Sequence, residues 1–153
     1  MESMKSKPLL IVLALSAVIL FGFQALALGR AFIVTATVDI KPDTINLNRQ
    51  GRWITVYISI EGYNVSDIDR TNLLLKDPLD SSWQVSPEWS NIESDKLMVK
   101  FDSSLVIEHL WQRLWHMGGN RNSIELTVDG IVNGAPFKGS DTITIIDPIP
   151  AEP

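Results

Sequence analysis

The feature that most restricts how this chain can fold is the run from Trp53 to Ile60, where apolar and polar residues alternate without a break. Ile54, Val56, Ile58 and Ile60 fall on one face, and Trp53, Thr55, Tyr57 and Ser59 on the other. Successive side chains of a strand point to opposite sides. A period of two therefore specifies a half-buried strand of an antiparallel sheet, not a helix. The run sits within Val38–Tyr63, after a Pro/Asp/Asn-rich turn region and before a turn centred on Gly62. One strand with one apolar face needs partners, and the rest of the chain reads as their supply.

Phe32 to Ile40 alternates in the same way and stops at Lys41-Pro42-Asp43, because proline has no N–H for a ladder. Ile45-Asn46-Leu47 is a short extended piece. Leu73 to Lys76 is a predicted strand closed by Asp77-Pro78, and Trp83 to Val85 a shorter one. Pro87 to Asp95 reads as a polar loop, and Lys96 to Phe101 as a strand with Leu97, Val99 and Phe101 inward. Asp102-Ser103-Ser104 offers a helix N-cap, followed by Ile107, Leu110, Trp111, Leu114 and Trp115 at helical spacing until Gly118-Gly119. Ser123 to Val132 is a further strand. Asn133-Gly134 then predicts a tight type I′ hairpin, since both residues tolerate positive φ. Ala135 to Lys138 pairs back, Gly139-Ser140-Asp141 turns, and Thr142 to Ile146 closes the set. Short strands at regular spacing with one helix predict a mainly β fold, an antiparallel immunoglobulin-like β-sandwich over residues 31–147. The helix should cover one end or one open edge, and residues 148–153 form a Pro-rich tail.

Lys5 and Lys7 precede Pro8, after which Leu9 to Leu28 carries no charge. A basic start followed by an apolar run is an export signal whose basic end stays in the cytoplasm. Ala25-Leu26-Ala27 has the small-x-small form of a cleavage site, which would release the protein. The run is also about 20 residues long, enough to span a bilayer as a helix and stay as an anchor. Residues 1–30 are thus expected to be a signal peptide or a signal-anchor transmembrane helix. Either outcome places the remainder on the extracytoplasmic side, membrane-anchored or secreted. Setting aside residues 1–27 leaves 11 basic against 17 acidic residues, a formal charge of −6. Such a balance argues against a nucleic-acid partner, which needs clustered Lys and Arg. With no cysteine, a disulfide framework, a thiolate metal site and a Cys nucleophile are all excluded.

Among chemistry-bearing residues, His109 and His116 lie seven apart on the predicted helix, roughly 10 Å along one side, and read as ordinary surface histidines. Asn64-Val65-Ser66 is an N-x-S sequon, which on an exported chain makes Asn64 a candidate glycosylation site, beside the plain reading of a turn. Trp53 and Tyr57 occupy the face opposite Ile54 and Ile58. They lie beneath the helix or form an exposed strip that Trp83 and Trp89 would extend, a candidate surface for a glycan or a protein partner.

Three segments carry a resemblance. VDIKPDTINLNRQGRWITVYISIEGYNVSDID, LMVKFDSSLVIEHL and ELTVDGIVNGAPFKGSDTITIID, in that order, resemble a β-sandwich module of exported and cell-surface proteins of archaea and some bacteria. The resemblance covers nearly all of the chain after the N-terminal run. It implies a surface module without enzymatic activity, so no catalytic residues carry over. Members of that group often place an acidic, glycine-containing loop before the "LMVKF" strand, similar to a calcium-binding loop. Here Asn91, Glu93 and Asp95 keep the alternate spacing, three oxygen ligands where Ca²⁺ takes about six to eight. The expectation is a non-enzymatic cell-envelope module with a structural or adhesion role. The alternative is a small module that binds carbohydrate or calcium.

Overall fold

The computed structural model describes residues 32–48, 51–116 and 123–146. The expected membrane segment over residues 1–30 and the tail 148–153 lie outside the described residues. Among the described residues no helix is long and apolar enough to cross a membrane. The strands are β1 (Val34–Thr35), β2 (Thr37–Lys41), β3 (Thr44–Asn46), β4 (Trp53–Ser59), β5 (Leu74–Asp77), β6 (Asp80–Val85), β7 (Trp89–Glu93), β8 (Lys96–Asp102), β9 (Ser123–Val132) and β10 (Ala135–Ile146). One helix, α1 (Ser103–His116), follows β8, and two short 3-10 turns cover Val65–Asp67 and Arg70–Asn72.

The strands form two sheets around a shared core, a mainly β, sandwich-like body. The smaller sheet runs β2-β4-β8-β7, antiparallel throughout. The larger runs β1-β10-β9-β5-β6, with β3 also on β10. As its alternation requires, β4 buries Ile54, Val56 and Ile58 against Val99 and Phe101 of β8 and Leu75, Leu126 and Val128 of the other sheet, all in one apolar cluster. Each such side chain taken from water contributes about 1.5–3 kcal/mol. Asn133 and Gly134 both have positive φ, the hairpin geometry expected of that pair.

Three segments differ from the expected pattern. Gly139-Ser140-Asp141 is not a turn: β10 runs unbroken past it, paired with β9 from Ala135 to Thr144. The glycine is there because another backbone passes over it. A Cβ at Gly139 would come within 2.5 Å of Ala36 O. That backbone belongs to the N-terminal stretch, expected as one strand over Phe32–Ile40; it is instead two strands that change sheets at Ala36, and the exposed Phe32 precedes both. β1 pairs parallel with β10, Ala36 N–H donates to Lys138 O at 2.9 Å, and β2 then pairs antiparallel with β4. After a turn through the cis Lys41–Pro42 bond, β3 returns parallel to β10, so the sheets are not wholly antiparallel. Between the two returns, Ile40 N–H donates to Asp141 Oδ2 at 2.8 Å and Thr144 N–H to Asp43 O at 2.8 Å. One flank of the two-sheet body is thereby laced shut. The third difference is the expected loop Pro87–Asp95, most of which is β7, an edge strand. Trp89, Asn91 and Glu93 face solvent while Ser90 and Ile92 are half-buried, so its polarity is that of an outer face.

At the start of α1, Asp102 Oδ1 accepts from Ser104 N–H at 2.8 Å and from the Ser104 hydroxyl, as an N-cap should. The Ser103 hydroxyl donates to Gly51 O, tying the helix start to the approach of β4. Val106, Ile107, Leu110 and Leu114 bury the apolar stripe.

Candidate functional site

The outer face of the smaller sheet gathers three of the four aromatic residues singled out in the sequence. Strand register places Trp53 opposite Asp102, Tyr57 between Asp39 and Met98, and Trp89 opposite Lys100. Because β4 commits Ile54, Val56 and Ile58 inward, Trp53 and Tyr57 must stand outward, and both are half-buried there. Trp89 is 47 % exposed. Each indole carries a cation: the Arg52 guanidinium lies 4.7 Å from the Trp53 ring centre, and Lys100 Nζ 5.3 Å from that of Trp89. Lys41, at the far edge, is gripped by Asp43 at 2.6 Å and Asp39 at 3.0 Å. Those hydrogen bonds, that to Asp43 foremost, hold its amine protonated well above the usual lysine range. Trp53 also lines two open clefts beside the start of α1, one with Arg52, Glu88 and Ser104, the other with Pro42, Asn46 and Ile107.

Trp83 does not share this face. It lies on β6 of the larger sheet and stacks on His109, ring centres 4.1 Å apart and planes within 9°. His109 is correspondingly not a surface histidine: its side chain is 4 % exposed. The His116 side chain lies outside the described residues. His109 Nε2 is 2.9 Å from Asp77 Oδ2, whose carboxylate is fully buried. A carboxylate only accepts, so this hydrogen bond puts the proton on Nε2. Arg113 Nε lies 2.8 Å from the same oxygen, yet its N–H is not aimed along that line, so the contact is an ion pair without a hydrogen bond. Arg113 Nη2 is buried without a hydrogen-bond partner among the described residues. Asp77 Oδ1 accepts from Leu79 N–H at 2.8 Å. Asp80 Oδ2 sits 4.0 Å from His109 Nδ1, and its carboxyl is held below the usual range by the Ser82 hydroxyl, then the Ser82 N–H. The cluster is closed to solvent at its centre, so its work is to clamp α1 onto the β5–β6 hairpin.

The three residues aligned with the calcium-loop pattern are spread over a hairpin. Asn91 and Glu93 lie on the outer face of β7, and Asp95 is in the two-residue turn after it, next to Ser94 at φ 57°. Among the described residues no group of three or more His, Cys, Asp or Glu could hold a metal ion. Asn64 is exposed, and its Oδ1 accepts from Ser66 N–H at 3.0 Å as the cap of the first 3-10 turn. Asn64 and Asp95 line one open cleft with Tyr63 and Ile92.

Sequence reasoning missed Arg52, Lys100 and the buried Asp77–His109–Arg113 cluster. Arg52 and Lys100 had a readable signal: one adjoins an outward tryptophan, and the other alternates outward between Leu97, Val99 and Phe101. No family model matches the chain, and no curated protein matches its sequence.

Proposed function

We propose that this is a non-enzymatic, extracytoplasmic module of the cell envelope, anchored or released through residues 1–30, that acts by contact through the outer face of its smaller sheet. What supports the reading is the aromatic face itself: Trp53, Tyr57 and Trp89 stand on the outer side of β4 and β7, with Arg52 and Lys100 lying over the two indoles. Aromatic rings of this kind serve stacking and docking. The cations suit a partner that carries carboxylates, which would draw Arg52 and Lys100 off the rings and open the indoles to stacking. The sandwich-like body and the resemblance to a surface module argue for the same role, and Asn64 is a surface position fit for a glycan.

The test uses the absence of native cysteine. A single Glu61→Cys variant of the full chain should react with a membrane-impermeant maleimide on intact cells, and labelling only after lysis would refute the location. An array of neutral and acidic glycans then tests the face. Binding should fall with Trp53→Ala and with Trp89→Ala. Retention of binding in both variants would remove this face from the reading. The two clefts beside Trp53 favour a second reading, a small module that binds carbohydrate, which the same array would single out by signal for neutral sugars. Calcium at Asn91, Glu93 and Asp95 is tested by calorimetry, where a flat titration ends it.

A further inference from the structure

Of the longer edge strands β2, β6 and β7, the last stands apart. On β2, at the opposite edge of the same sheet, the Ile40 N–H is taken by the Asp141 carboxylate. On β6, the edge of the larger sheet, the Ser82 N–H is taken by Asp80. Each of these side chains blunts its edge by occupying one of its donors. The hairpin geometry shows what β7 presents instead. Glu93 and Lys96 close the two-residue turn, so Glu93, Asn91 and Trp89 direct their backbone groups toward β8. Ser90 and Ile92 direct theirs away from it, and among the described residues neither has a backbone or side-chain hydrogen-bond partner on that side.

We infer that β7 pairs antiparallel with β7 of a second copy of this chain, in the register that sets Asn91 opposite Asn91. Only this centre places Ser90 of one copy opposite Ile92 of the other in both halves, so that all the outward N–H and C=O groups of these two residues exchange hydrogen bonds. The same register answers the charge pattern of the outer face. Trp89 comes opposite Glu93 of the second copy. Read across the junction, the row is Lys100, Trp89, then Glu93 and Lys96 of the second copy, and the two-fold repeats it. Within its own hairpin Glu93 stands opposite Lys96 without an ion pair, and the junction sets it directly beside Trp89 of the second copy, with Lys100 one strand further, roughly 10 Å away between backbones. The two four-stranded sheets become one continuous sheet, with both aromatic faces on one side. The inference rests on the edge geometry and stands whether or not that face binds a glycan.

The cysteine-free chain allows a register-resolved test on the full protein as expressed in cells. Across a non-hydrogen-bonded antiparallel pair the Cα atoms are about 4.5 Å apart, within disulfide reach. Trp89 and Glu93 each lie roughly 14 Å from their own counterparts, well beyond it. Mild oxidation of Asn91→Cys should therefore yield a disulfide-linked dimer at roughly tenfold the level seen for Trp89→Cys or Glu93→Cys alone. A mixture of Trp89→Cys and Glu93→Cys chains should link heterotypically. Adding Ser90→Pro to Asn91→Cys should abolish the link, because a proline at an edge removes only the outward donor. Equal linking at all three positions, no linking at position 91, linking of Asn91→Cys to a different protein, or persistence of the link with Ser90→Pro would each overturn the inference. The comparison of the three cysteine positions does not depend on the proline variant.

Discussion

At the scale of single residues, the sharpest consequence comes from Asp77. Its carboxylate is the counter-charge of Arg113 and the hydrogen-bond acceptor of His109 in a site closed to water. Removing one partner of a buried ion pair leaves the others uncompensated, so Asp77→Asn should cost about 3–5 kcal/mol in urea denaturation. The two kinds of tryptophan should separate in the same assay. Trp83→Ala strips the ring stacked on His109 and should cost about 3 kcal/mol. Trp89→Ala removes an edge ring and one cation–π contact, and should cost about 1 kcal/mol or less. Equal losses would mean the outward tryptophan is a core residue after all. None of the Asp77 cluster was legible beforehand. His109 and Asp77 are 32 residues apart, and helical spacing alone leaves His109 at the border of the apolar stripe.

At the scale of elements, α1 depends on its first turn. The Asp102 carboxyl is held below its ordinary value of 3.8 by the Ser104 hydroxyl and then the Ser104 N–H. A carboxyl whose folded pKa is depressed stabilises above its unfolded pKa, and that contribution is lost as pH falls through the folded value. Stability should therefore decline on the acid side below about pH 4. Asp102→Asn, which keeps the capping oxygen, should flatten part of that decline while changing neutral-pH stability little. An unchanged acid slope would show that Asp69 and Asp80, shifted in the same direction, carry it instead. In β10 the relevant position is Gly139. Gly139→Ala should destabilise by about 1–3 kcal/mol, because its Cβ meets the Ala36 backbone, which cannot swing aside as a side chain can. Element types were largely readable where alternation or helical spacing ran on: β4, β8, β9, α1 and the Asn133–Gly134 turn all sit where the pattern put them. The misreadings at β7 and Gly139 share a cause. In each, residues common in loops serve a strand, on a solvent face in one and under a crossing backbone in the other.

At the scale of the whole molecule, the N-terminal stretch joins the sheets along one flank, and Asp141 completes that closure. Asp141→Ala should leave the Ile40 N–H without its partner, costing about 1–3 kcal/mol. Hydrogen exchange at Ile40 should quicken more than at Ile58, deep in β4. Uniform loss of protection would mean the flank is not a separate unit of stability. What the amino-acid order determined alone was which residues of β4, β8 and β9 face inward, where α1 begins, and the run of uncharged residues at the N-terminus, because periodicity, caps and charge are local properties of the chain. Which strands are neighbours, that β1 and β3 flank β10 in parallel, that Trp53, Tyr57 and Trp89 share a face while Trp83 turns to His109, and that β7 lies at an edge of its sheet were decided only by the tertiary structure. Those facts depend on pairings between residues far apart in the chain, and a strand's own sequence specifies its faces but not its neighbour.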